Sequence, residues 1–222
     1  MKNLIIAKLA SYRDDLIEDV EYNVPITKII MHKDYDSVRV TNDIALLEIK
    51  VPVKFNDYIG PVALPTLNQV PTQPKNCKAI GWGEYRYNKS QADIFYEKRL
   101  LCATSYDKEN RFVGTCYGDS GGPMFCPEII NGRKVNVIFG VTSVSGGATC
   151  TEHPSGFANI SALMGWLSSA AIQIKKERVG SKWRQIKMTD GNQKRYGFYV
   201  SLFACFQKTH ETRKRNSQSR VR

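Results

Sequence analysis

The run Gly118-Asp119-Ser120-Gly121-Gly122-Pro123, with Cys116 before it and Cys126 after it, holds residue types that can do chemistry together. A hydroxyl between glycines predicts a tight turn in which the main chain is part of the working surface. Glycine serves where φ must be positive or where a ligand comes close to the backbone. Such a turn lets the amides of Gly118 and Ser120 converge on a hollow beside the Ser120 hydroxyl. Two N–H donors beside a nucleophile form an oxyanion hole, a large electrostatic contribution to acyl transfer. A glycine-rich surface turn without chemistry is the plain alternative, and a bare G-x-S-x-G pattern would fit it. Six specified positions in a row are far more restrictive.

Two further stretches carry the same signal. Thr41-Asn42-Asp43-Ile44-Ala45-Leu46-Leu47 places an acid at the entry of an apolar strand, Ile44–Ile49. Cys77-Lys78-Ala79-Ile80-Gly81-Trp82-Gly83 has a C-x-x-x-G-W-G spacing. Together with GDSGGP, these segments resemble the trypsin/chymotrypsin-like serine peptidases, and the resemblance runs from about Leu4 to Ile174.

The resemblance implies an all-β fold, a double six-stranded antiparallel β-barrel with an incomplete first barrel and a C-terminal helix. Residues 1–174 would form the peptidase domain, with 1–65 the remnant of the first barrel and 75–174 the second barrel and helix. It implies a serine-type endopeptidase that hydrolyses peptide bonds through an acyl-enzyme on Ser120, with protein or peptide substrates, no cofactor and an extracellular location. Asp43 would be the acid that holds a catalytic imidazole in its tautomer and stabilises the imidazolium. Gly118 and Ser120 would supply the oxyanion hole.

Residue by residue, the resemblance also implies two disulfides, Cys77–Cys126 and Cys116–Cys150, bracing the walls around Ser120. Cys102 and Cys205 stay unassigned. Gly114 falls at the floor of the primary specificity pocket, where trypsin-like enzymes carry an aspartate that pairs with Arg or Lys. An uncharged Gly114 does not support tryptic specificity. Ser143 lies in the substrate-pairing segment, and Ser145 and Ser155 fall on the pocket walls, where side chains would narrow the slot. Small or medium apolar substrate side chains are the expectation.

The elements that must position these groups are legible in part. Leu4–Ser11 and Tyr22–Met31 read as strands, the second with a proline suited to a sheet edge. Lys134–Ser143 and Pro154–Ile160 read as further strands. Ser161–Ile174 carries Leu163, Trp166, Leu167, Ala170, Ala171 and Ile174 at helical spacing. Glu84–Leu101 reads as a polar and aromatic bridge and Thr104–Val113 as a polar loop. Asp14, Asp15, Glu18, Asp19 and Glu21 form an acidic loop. The family sometimes binds calcium there, but bunched acids are more often solvated, and no metal is expected.

The pattern departs from the family in its base. In the Ser-His-Asp triad the acid follows the histidine by about 45 residues, which sets the base ahead of Met1. No T-A-A-H-C motif occurs. His32, in a surface turn His32-Lys33-Asp34-Tyr35, His153 and His210 match no catalytic position. The expectation is a peptidase truncated at its N-terminus with an internal deletion after Gly83. Without a charged N-terminus to meet it, Asp119 would be a carboxylate facing burial with no counter-charge, which is costly. A non-catalytic homologue used for binding or regulation is the alternative reading.

The 222 residues can bury a sizeable core. No apolar run reaches the ~20 residues needed to span a bilayer. Met1–Ala10 does not read as a signal peptide, because Lys8 interrupts its apolar patch. The formal net charge of +11 falls entirely in residues 175–222, and residues 1–174 are balanced. That basic segment, with an apolar island at Tyr196–Phe206, reads as a solvated, disordered tail. A polyanion contact through it is the competing reading.

Overall fold

The computed structural model describes residues 5–13, 15–83, 92–96, 100–106, 112–146, 150, 152–179 and 201–203. The architecture is all-β with one C-terminal helix. Strands β1 (Ile6–Leu9), β2 (Tyr22–Met31) and β3 (Ala45–Ile49) form a curled antiparallel sheet, which β11 (Ser201–Phe203) extends in the order β1-β2-β3-β11. This sheet is the half-barrel expected of the first unit. Val24 and Ile26 of β2 turn inward onto Leu47, Ile49 and Val53. Pro25 has no N–H to donate, but its carbonyl accepts the Lys50 amide at 2.8 Å.

The second sheet contains β4 (Lys78–Ala79), β8 (Pro123–Ile130), β9 (Arg133–Val144), β10 (Ser155–Asn159), β6 (Leu100–Tyr106) and β5 (Ala92–Tyr96) in that spatial order. The short β7 (Phe112–Val113) pairs with β6. Among the described residues this sheet holds seven strands, consistent with the trypsin-like β-barrel expected. Its interior packs Leu101, Met124, Cys126, Val137, Phe139 and Phe157 together.

The β8–β9 hairpin is the frame of this unit. Ile130 pairs with Arg133 across Asn131-Gly132, and both turn residues have positive φ, 51° and 74°. Asn-Gly suits such a two-residue turn because both residues tolerate left-handed backbone. Reading Glu84–Leu101 as a bridge and Thr104–Val113 as a loop missed three strands, β5, β6 and β7. β5 pairs with β6 from Ala92↔Ser105 to Tyr96↔Leu101, and Leu101 and Thr104 are buried. The Thr and Ser residues that made this stretch look like a loop suit a pleated, half-buried surface.

Helix α1 (Ile160–Val179) lies against both sheets. Its Leu163, Leu167, Ala170 and Ile174 pack with Ile44 and Leu46 of the first unit and Ile138, Val141 and Ala158 of the second. Asn159 caps it, its Oδ1 accepting the Ala162 amide at 3.3 Å and the Ser161 hydroxyl at 2.9 Å. The connecting segment is fastened by the buried Glu128, whose carboxylate accepts the Thr72 amide at 2.7 Å and the Thr72 hydroxyl at 3.0 Å.

Two stretches differ from expectation at the C-terminal end. The helix runs five residues past Ile174. Three residues of the apolar island, Ser201–Phe203, pair with β3 instead of standing apart in a solvated tail. Cys205 and His210 lie outside the described residues, as does Asp14 of the acidic loop. Among the described residues no helix is long and apolar enough to cross a membrane.

Candidate active site

The turn around Ser120 is set by contacts on both sides. The Asp119 amide donates to the Cys116 carbonyl at 3.1 Å, and the Gly122 amide to the Asp119 carbonyl at 2.8 Å. Gly118 and Gly121 adopt φ of 96° and 85°, which side chains rarely tolerate. A Cβ on Gly118 would also come within 2.9 Å of the Gly83 Cα. Ser120 is exposed at the tip. Among the described residues, the amides of Gly118 and Ser120 donate to no acceptor, so both remain available to a ligand.

Asp119 is half-buried beside the turn. The Gly83 amide donates to its Oδ1 and the Cys116 amide to its Oδ2, each at 2.9 Å. Two backbone donors thus hold the carboxylate, and hydrogen bonds to an ionised acceptor are the stronger kind. The G-W-G segment thus grips the nucleophile turn from behind.

Asp43 is 4% exposed, at the entry of β3. Asn42 makes that entry with a left-handed φ of 55°, and its Nδ2 donates to the Asp34 carbonyl at 2.8 Å. The Ser143 hydroxyl donates to Asp43 Oδ2 at 2.7 Å. One residue earlier on β9, Thr142 exchanges bonds with the nucleophile turn. Its carbonyl accepts the Gly121 amide at 2.9 Å and its amide donates to the Gly122 carbonyl at 2.8 Å. Adjacent residues of one strand therefore hold the Asp43 carboxylate and the Ser120 turn.

The other residues singled out in the sequence gather around the same strand end. Ser155 is buried, and its hydroxyl accepts the Thr115 amide at 2.8 Å. That places Ser155 Oγ over Gly114, in the space a Cβ on Gly114 would need. Gly156 pairs with Val144, the residue before Ser145. Cys77 is bonded to Cys126 and Cys116 to Cys150, as the resemblance implied. Three buried polar atoms, Asn42 Oδ1, Thr115 Oγ1 and Thr142 Oγ1, have no hydrogen-bond partner among the described residues. Each belongs to a residue next in sequence to one named above, Asp43, Gly114 or Ser143.

The described histidines are engaged elsewhere. The His32 ring lies 5.0 Å from that of Trp166, and its Nδ1 accepts the Asp34 amide at 3.1 Å. His153 sits in an exposed loop, its amide on the Gly146 carbonyl at 3.0 Å.

In the acidic loop, Glu18 Oε2 accepts the amides of Tyr12 and Arg13. Glu21 accepts the Ser11 hydroxyl at 2.8 Å and the Lys8 ammonium at 3.1 Å, and Arg13 pairs with Asp15. Among the described residues no His, Cys, Asp and Glu cluster is fit to hold a metal ion.

Sequence reading missed two supports of this site, the grip of Gly83 on Asp119 and the bond from Ser143 to Asp43. The Asn131-Gly132 turn was the available signal for the hairpin whose second strand carries Ser143.

Comparison with known proteins agrees with this geometry. Residues 13–167 match the family model described as Trypsin. Trypsin-1 of Gadus morhua is similar over 183 residues at 27% identity, covering 75% of this chain and 72% of that protein. The match runs from before β2 into α1 and includes the Asp43 entry and the Ser120 turn, and the chain belongs to the trypsin-like serine peptidase family.

Proposed function

We propose that this chain is a serine endopeptidase centred on Ser120. The observation that carries the reading is β9, where Thr142 fastens the Ser120 turn and Ser143 fastens Asp43. In this chemistry Ser120 Oγ adds to the scissile carbonyl while its proton passes to an imidazole base oriented by Asp43. The oxyanion rests on the amides of Gly118 and Ser120. Collapse releases the amine, which takes the proton, and leaves an ester on Ser120 that water hydrolyses. The uncharged, partly filled pocket at Gly114, Ser145 and Ser155 favours small or medium apolar side chains.

The described histidines bear on the base: the His32 ring faces Trp166 and His153 lies in an exposed loop. Neither His32 nor His153 is engaged in a way that serves Ser120, and loss of one triad member lowers the rate by several orders of magnitude. That observation favours a second reading, a non-catalytic homologue that keeps the cleft for binding. Labelling by a fluorophosphonate separates them. The endopeptidase reading expects a covalent adduct that maps to Ser120 and is abolished by Ser120→Ala. A folded chain that shows no adduct at millimolar probe, yet retains a protein partner when Ser120→Ala is introduced, leaves the binding reading standing alone.

The basic C-terminal segment supports a separate, weaker contact with polyanions. Counterion release gives such binding a steep salt dependence. Retention on heparin that survives removal of residues 175–222 would exclude the tail as its source.

A further inference from the structure

We infer that the segment containing Ser201–Phe203 is a tethered donor strand, closing in cis an edge of the first sheet that would otherwise accept a strand from another molecule. The argument begins with β3. Ala45, Leu46, Leu47 and Ile49 are all buried, so the strand is apolar and central in character. One side of it is taken by β2, with Met31↔Ala45, Ile30↔Leu46 and Ile29↔Leu47 in register. The opposite side is taken by β11, with Phe203↔Ala45, Leu202↔Leu46 and Ser201↔Leu47. Without β11, the pairing it gives Ala45, Leu46 and Leu47 would be lost along a hydrophobic strand, and an open apolar edge promotes edge-to-edge association.

The donor's sequence suits the task. Residues 196–206 read Tyr-Gly-Phe-Tyr-Val-Ser-Leu-Phe-Ala-Cys-Phe, inside a segment otherwise dominated by Lys, Arg and polar residues. Aromatic and branched residues favour strands, whereas the flanking composition does not. Three paired residues would bind weakly from solution. Tethering changes that, because the donor belongs to the same chain, and an intramolecular partner acts at an effective concentration on the order of millimolar. Strand addition to an open edge takes its affinity from main-chain bonds, so the acceptor tolerates varied side chains. The paired stretch begins two residues after Asp43, so the donor also braces the strand entry that carries this acid.

Two full-length variants test the inference. Leu202→Pro removes an amide and disfavours the pairing of β11. Amide exchange within residues 45–49 should accelerate at least about tenfold while residues 133–144 are unchanged, since local opening follows local pairing. The variant should also self-associate at concentrations where the parent is monomeric. Exchange at 45–49 within about twofold of the parent's overturns the inference.

Should Leu202→Pro not fold, the double variant Ala45→Cys with Phe203→Cys decides. These residues are Cα partners across β3 and β11, the spacing a cross-strand disulfide needs. Peptide mapping without reduction should find a 45–203 link inside one chain. A link between two chains, or no link, overturns the cis assignment.

Discussion

The Ser143 hydroxyl donates to Asp43 Oδ2 across 2.7 Å, tying the end of β9 in the second sheet to the entry of β3 in the first. The bond connects residues 100 positions apart and holds a carboxylate that is 4% exposed. Replacing Ser143 by Ala removes one donor to a buried carboxylate, a loss of about 1.5–3 kcal/mol for hydrogen bonds to charged groups. Urea unfolding should show that decrease, and Ser143→Thr should recover part of it. A Ser143→Ala variant as stable as the parent would mean the bond contributes nothing net.

Behind the nucleophile, Gly83 works through its backbone and through the absence of a side chain. A Cβ there would lie 2.6 Å from Asp119 Cγ while the Gly83 amide is bonded to the same carboxylate. Gly83→Ala must push Asp119 away and break that bond, at a cost of about 1–3 kcal/mol by analogy with overpacked cores. Gly60→Ala is the matched control, because nothing lies within 4 Å of a Cβ at Gly60. Thermal unfolding should separate the two, with Gly83→Ala clearly lower and Gly60→Ala close to the parent. Equal midpoints would show that Asp119 relaxes without penalty.

Ser155 Oγ rests over Gly114 while accepting the Thr115 amide, and in the proposed pocket it would narrow the slot. Ser155→Gly should widen the slot and shift a peptide-library profile toward larger side chains. It should also cost stability by leaving the Thr115 amide without its acceptor, about 1–3 kcal/mol for a buried donor. The two effects are separable, since the profile is a ratio between substrates measured on one preparation. A parent profile dominated by Arg and Lys would sink the pocket reading, because Gly114 offers no counter-charge.

Local signals made about half of this arrangement legible. GDSGGP located the glycine turn around Ser120 and NDIALL the buried Asp43, because each packs several rigid requirements into contiguous residues. Apolar spacing revealed β2, β3, β9 and α1, whose buried faces follow a simple period. The missed features depend on partners distant in sequence. Nothing within Leu100–Tyr106 announces that it pairs with both β5 and β10, and its Thr and Ser residues read as loop until Ser155 and Ala92 stand opposite. The bonds from Gly83 to Asp119 and from Ser143 to Asp43 span 36 and 100 residues, so no window of sequence contains them. The pairing of Ser201–Phe203 with β3 is the extreme case, since local composition around it favours a solvated tail.

Acid should loosen the loop that precedes β2. The Glu21 carboxyl is held below its usual range first by the Ser11 hydroxyl and then by Lys8. Arg13 lowers Asp15 in the same loop, and in the next turn the Arg39 and Val38 amides lower Asp36. A carboxyl depressed in the folded state contributes stability that is fully present above its unfolded value and is lost as pH falls through its folded value. The window therefore lies at and below the ordinary carboxylate range, and neutral pH is untouched. The Trp82 indole is a local reporter, since its Nε1 donates to the Tyr12 carbonyl at 3.2 Å beside these groups. Its N–H resonance should move as pH falls through that window, and Glu21→Gln should flatten the change. High salt should remove the Lys8 part, because exposed charges are screened, and leave the Ser11 part. A Trp82 signal that is constant until global unfolding would show that these carboxyls do not hold the loop.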